Sequence, residues 1–162
     1  MTALAIPADL QPVEPAYRQA LQMKAAAFWV PMFLVALAVD RIALVETPIP
    51  PLLLPLLVGL IAFFAIVIAP NRVYRRLGYA IDGRLLRTVR GWLFHTDTIV
   101  PFVRVQHIDV TRGPIDKLFG TASLVVHTAG THNSLVVLPG LAPDRAAEIR
   151  EAIRSEIRAD AE

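Results

Sequence analysis

The sequence predicts a membrane α-hairpin followed by a mainly-β module that one C-terminal helix closes. Three observations carry this. Thr47 to Asn71 holds no charged residue and is followed at once by Arg72, Arg75 and Arg76. From Leu77 onward, short β-rich runs alternate with turn residues. From Pro143 to about Ala159, apolar residues recur at helical spacing. The chain has 162 residues and is 55% hydrophobic, above the roughly 45–50% apolar content of soluble domains. The excess falls in residues 25–70, so it marks membrane segments and not an oversized core. The remainder leaves room for one domain of about 90 residues, enough for a single core. Net charge is only +2 and no dense basic stripe occurs, which argues against a nucleic-acid partner. The absence of cysteine excludes disulfides, thiolate catalysis and zinc–thiolate sites.

Residues 1–20 contain Pro7, Pro12 and Pro15 among polar residues and read as a flexible arm. Two transmembrane helices are expected over residues 21–71, at about 21–45 and 50–70. The apolar centre of the first, Ala25 to Val39, covers only about 22 Å as a helix, short of the roughly 30 Å hydrocarbon core. Extension to Leu21 and Val45 closes the gap, with Lys24 snorkelling at one interface and Asp40 and Arg41 near the other. Leu52 to Ala69 is long enough for the second span. Pro55 lies near its outer end, where fewer backbone bonds are lost. Arg18 and Lys24 precede the hairpin, the three arginines follow it, and its loop carries only Arg41 as a positive charge. The charge rule then keeps both termini cytoplasmic, at the inner membrane. Ala36-Leu37-Ala38 also fits a signal-cleavage pattern, but a leader containing Asp9 and Glu14 fits poorly.

Residues 72–162 form the cytoplasmic module. Leu77, Tyr79 and Ile81 alternate in a first strand, which Asp82-Gly83 turns back. Leu85 to Trp92 and Phe94 to Val100 follow, the latter ended by Pro101. In the run Val103 to Thr111, the apolar parity switches between Val105 and Ile108. A strand with one buried face cannot do that without a bulge or bend near Gln106-His107. Ile115 to Phe119 reads as a short helical turn between Gly113-Pro114 and Gly120. Ala122 to Thr128 and Ser134 to Leu138 are two more strands, and Pro139-Gly140 stops the second. The closing helix carries Ala146, Ile149, Ile153 and Ile157 on one stripe. Two antiparallel sheets capped by such a helix make a pleckstrin-homology-like (PH-like) β-barrel or sandwich.

Several stretches carry a resemblance. They include Gly78-Tyr79-Ala80-Ile81, Val89-Arg90-Gly91-Trp92-Leu93-Phe94 and Thr98 through Val110. Gly113-Pro114-Ile115, Leu118-Phe119-Gly120 and His127 through Asn133 continue the set. In this order, over roughly residues 20–155, they resemble the bacterial PH-domain membrane family known as YdbS-like. The resemblance implies a PH-like fold anchored in the cytoplasmic membrane. It also implies a partner, a larger membrane protein with repeated modules of the same type, and links to envelope stress and resistance to antibacterial peptides. It implies no reaction and no cofactor. Eukaryotic PH domains that bind phosphoinositides use a long basic loop after their first strand. Here that loop is only Asp82-Gly83-Arg84, a departure that argues against such binding.

The candidate binding residues are Arg104, Arg112 and Lys117 with Leu118 and Phe119, where cations flank an apolar knob. They suit a partner groove or an anionic membrane surface. The bland reading packs Leu118 and Phe119 into the barrel end and leaves the charges solvated. His95, His107, His127 and His132 are weak metal candidates, with Asp97 or Asp109 as a further ligand, because no spacing matches a common motif. His107 and Asp109, like His95 and Asp97, share a strand face and could pair as base and acid. No nucleophile has an activating context, so no enzyme is expected. Trp92 is expected to pack against the barrel. The leading expectation is a non-enzymatic scaffold binding a partner membrane protein. A reader of anionic lipid headgroups is the alternative, a metal-dependent enzyme the remote one, and a homo-oligomer a further partner expectation.

Overall fold

The computed structural model describes residues 10–44, 47–48, 50–92, 95–129 and 135–159. Its elements run β1 (Gln11–Pro12), α1 (Pro15–Ile42), α2 (Leu53–Phe63), a π-helical turn (Phe64–Ile68) and α3 (Ala69–Arg75). Then come β2 (Gly78–Asp82), β3 (Leu85–Arg90), β4 (Thr96–Pro101), a 3₁₀ turn (Phe102–Arg104) and β5 (Val105–Thr111). A short helix α4 (Pro114–Leu118), β6 (Ala122–Thr128), β7 (Leu135–Leu141) and α5 (Pro143–Ala159) complete the chain. All strand pairs are antiparallel, in one sheet ordered β1-β2-β3-β4 and another ordered β5-β6-β7. Leu86, Leu124, Val126 and Leu138 fill the space between the sheets, and α5 closes it with Ala146, Ile149 and Ile153. This is the expected PH-like sandwich with its helical cap. The bulge lies at Gln106, where the parity of β5 required it.

Two helices are long and apolar enough to cross a membrane, Pro15–Ile42 and Leu53–Arg75. The second is continuous through the π turn. Pro70 has no N–H and its ring crowds the preceding turn, so the ladder widens just before it, with the Ala69 N–H bonding the Phe64 carbonyl. Asn71 Nδ2 donates to the Val67 carbonyl at 2.8 Å, giving that turn a further donor. At the hairpin's far end, Leu52 sits at φ 68° without an acceptor of its own for capping. Asp40 of α1 substitutes, and its carboxylate accepts the Leu52 N–H at 3.0 and 3.2 Å. A buried carboxylate thus caps the N-terminus of α2 from the neighbouring helix.

The loose arm expected over residues 1–20 is corrected for residues 10–20. Gln11 and Pro12 pair with β2, and Leu10, Val13, Tyr17 and Ala20 are buried. Helix α1 begins at Pro15, six residues before the expected Leu21, because proline fits a first turn where no N–H is needed. Its opening turns belong to the sandwich, and its later turns belong to the hairpin. The Glu14 N–H donates to the Gly140 carbonyl at 2.8 Å. Strand β7 also runs past the expected stop at Pro139-Gly140. Ala122 pairs Leu141 and Leu124 pairs Leu138, so Pro139 and Gly140 together oppose Ser123 in a bulge. Gly140 has φ 77°, and a Cβ there would lie 2.5 Å from Tyr17 Cγ. Only glycine fits both the turn and the approach of α1.

Candidate interaction surfaces

Helix α4 joins the module to the hairpin. Asp116 accepts the Gly113 N–H at 3.1 Å through Oδ2, and Lys24 Nζ through Oδ1 at 2.7 Å. Its own carbonyl accepts the Thr121 N–H at 2.8 Å. Lys24, expected to reach for headgroups, therefore meets a short helix of the module across 92 residues of sequence. Around this junction the candidate residues separate. Phe119 packs against the core, as the bland reading held. Leu118 does not: it is 72% exposed, beside exposed Lys117. Arg112 Nε donates to the Thr121 carbonyl at 3.3 Å and closes the loop around α4. Arg104 lies at the other end of β5, whose seven residues span roughly 20 Å. Arg112, Lys117, Leu118 and Phe119 thus gather at α4, and Arg104 stands apart.

Two of the four histidines converge. His107 and His127 are cross-strand neighbours with ring centroids 5.8 Å apart. Both direct Nε2 at Asp109, at 2.9 Å to Oδ1 and 3.4 Å to Oδ2. The expected pairing of His107 with Asp109 is present. Each imidazole spends its Nε2 on the carboxylate and all three groups are open to water. No group of three or more potential ligands able to hold a metal occurs among the described residues. His95 precedes β4, and His132 lies outside the described residues. The loop that would carry a phosphoinositide pocket is the tight Gly83 turn, and its Arg84 is bound to Glu156 at 2.9 Å.

Sequence reasoning missed two surfaces. Leu85, Arg87, Asp97, Ile99 and Pro101 share the outer face of the first sheet, since Leu85 opposes Pro101 and Arg87 opposes Ile99. Ile99 is 56% exposed and Val103, in the following turn, is 72% exposed. Arg87 holds both Asp97 oxygens, at 2.6 to 3.1 Å, which fixes the neighbouring charges. This hydrogen bond holds the Asp97 carboxyl below its ordinary value. The alternation around inward Val100 was the available signal, because it turns Ile99 outward. The second surface is a groove of about 610 Å³ between Trp29, Leu60, Phe64 and Trp92. Trp92, expected to pack against the barrel, is 41% exposed and lines this groove together with residues of the hairpin. Arg76 Nη1 holds its carbonyl at 2.6 Å. Two tryptophans beside an apolar hairpin fit the aromatic belt of a membrane interface.

A PH-like sandwich built onto an apolar helical hairpin defines a membrane-associated PH-like protein. The comparisons with known proteins agree. Residues 25–157 match the family described as Bacterial PH domain, and the chain belongs to that family. It is similar to the UPF0699 transmembrane protein YdbS of Bacillus subtilis (strain 168), 32% identical over 98 residues. That match covers 60% of this chain and 58% of the relative, so it spans little over half of that protein. No solved structure matches the chain. The chain is thus a membrane-associated bacterial PH-domain protein of the YdbS-like type.

Proposed function

We propose that this protein is a non-enzymatic scaffold that holds a PH-like domain at the cytoplasmic face of the inner membrane and binds a second membrane protein there. The observation that carries the reading is the uncovered outer face of the first sheet. Ile99 and Leu85 lie together on that face, with exposed Val103 in the turn that follows β4. Single exposed apolar residues are ordinary, but exposed Ile99 on the edge strand β4, with Leu85 on the same sheet face and Val103 in the following turn, fits partner docking. The partner would be a membrane protein with repeated modules of the same type, acting in envelope function or stress. The rule of positive flanks supports both termini on the cytoplasmic side.

A second reading is favoured by Leu118 and Lys117. They project from α4 while Asp116 of the same helix holds Lys24 of α1. An apolar knob with a cation there suits contact with anionic headgroups. The test is purification of the full chain from native membranes in mild detergent. Wild type is expected to bring a stoichiometric membrane protein, which the double variant Ile99→Lys, Val103→Asp loses while keeping its thermal stability. Equal recovery with both chains, or a solitary wild type, overturns the scaffold reading.

A further inference from the structure

Arg18 lies in the first turn of α1, and Arg72 and Arg75 lie in the last turns of α3. The antiparallel hairpin brings these ends together. The three side chains line one cavity of about 340 Å³ with Asn71, Val67 and Ile68. Several arginines of the module are neutralised, Arg84 by Glu156, Arg87 by Asp97 and Arg145 by Glu148, whereas Arg18, Arg72 and Arg75 stand together in one cavity. Arg18, Arg72 and Arg75 have no carboxylate partner among the described residues, so the cavity is a concentration of uncompensated positive charge. The trailing arginines serve topology and answer the C-terminal dipole of α3. Arg18 counts toward topology as well, but neither role requires it to share this cavity, which it reaches from another helix.

The floor of the cavity narrows the ligand. Val67 and Ile68 are among the last apolar residues of the span, and the arginines begin one turn later. A ligand there meets hydrocarbon on one side and guanidinium on the other. Guanidinium groups recognise phosphate oxygens through paired N–H donors. We propose that Arg18, Arg72 and Arg75 form a binding site for the phosphate of an anionic phospholipid whose first acyl carbons rest on Val67 and Ile68. The site uses none of the residues invoked for partner docking or for the α4 contact, so it stands or falls separately. When occupied it would tie the start of α1 to the end of α3, and with them the two ends of the hairpin.

Native mass spectrometry of the full chain in detergent tests it, with phosphatidylglycerol, phosphatidylcholine or inorganic phosphate added. Wild type is expected to retain one phosphatidylglycerol at least tenfold more strongly than phosphatidylcholine. Arg18→Gln, an exposed change that leaves the trailing arginines in place, should weaken retention several-fold, and the triple change to Gln should abolish it. Arg150→Gln with Arg154→Gln, on α5, should leave it unchanged. Equal retention of both lipids, or of phosphatidylglycerol by wild type and Arg18→Gln, overturns the site. Displacement of the lipid by an equal concentration of inorganic phosphate overturns the lipid assignment.

Discussion

Replacing Gly140 by alanine tests whether the first membrane helix is built into the sandwich. Gly140 has φ 77°, a conformation that costs alanine about 1 kcal/mol. The added Cβ would also lie 2.5 Å from Tyr17 Cγ, 2.8 Å from Cδ1 and 2.9 Å from Cβ. Cβ and Cγ do not move when the ring turns about the Cβ–Cγ bond, so ring rotation gives no relief and α1 itself must shift. Overpacking of this kind costs about 1–3 kcal/mol. Gly83 is the internal control, with φ 52° and open space around its Cβ. Alanine there incurs the backbone cost alone. Thermal unfolding of the full chain in detergent should therefore place Gly140→Ala about 2–12 °C below Gly83→Ala, at about 2–4 °C per kcal/mol. Adding Tyr17→Ala should recover most of the extra loss, a coupling that independent sites would lack. If Gly140→Ala is no worse than Gly83→Ala, or the pair is additive, α1 does not rest on β7.

The cross-strand pair of Arg87 and Asp97 is about one-third exposed on both sides, so its coupling in a double-mutant cycle should be only about 0.5 kcal/mol at neutral pH. Arg87 holds the Asp97 carboxyl below its unfolded value. The contribution is then present above about pH 4 and lost as pH falls through the lower folded value, which a cycle repeated at acid pH reads directly. For topology, the chain has no native cysteine, so single cysteines label without background. Thr47→Cys, in the hairpin loop, should react with an impermeant maleimide on intact spheroplasts, and Ser155→Cys, on α5, only after lysis. The reverse pattern would invert the proposed orientation.

Local periodicity made most of the architecture legible. The stripe on α5, the tight turn at Gly83, the parity switch in β5 and the apolar spans are properties of neighbouring residues. What was missed depends on partners far along the chain. Tyr17 and Ala20 sit in a stretch whose prolines and polar residues read as an arm, and their burial becomes visible only against Gly140 and the sandwich core. Lys24 has the composition of an interfacial lysine, and nothing local points to Asp116. Leu118 and Phe119 look alike in sequence, and the turn of α4 alone decides that Phe119 packs inward and Leu118 outward. The outer sheet face escaped notice for the same reason, because Leu85 and Ile99 come onto one sheet face only once β3 and β4 pair. Arg18 joins Arg72 and Arg75 only when the hairpin folds.

Site-specific photocrosslinking in cells tests the scaffold reading most directly. A benzophenone residue at position Ile99 reports the outer sheet face, and one at Arg154 reports the exposed side of α5. A single membrane-protein adduct is expected from position 99 and none from position 154. No adduct at position 99, or the same adducts from both positions, would contradict it.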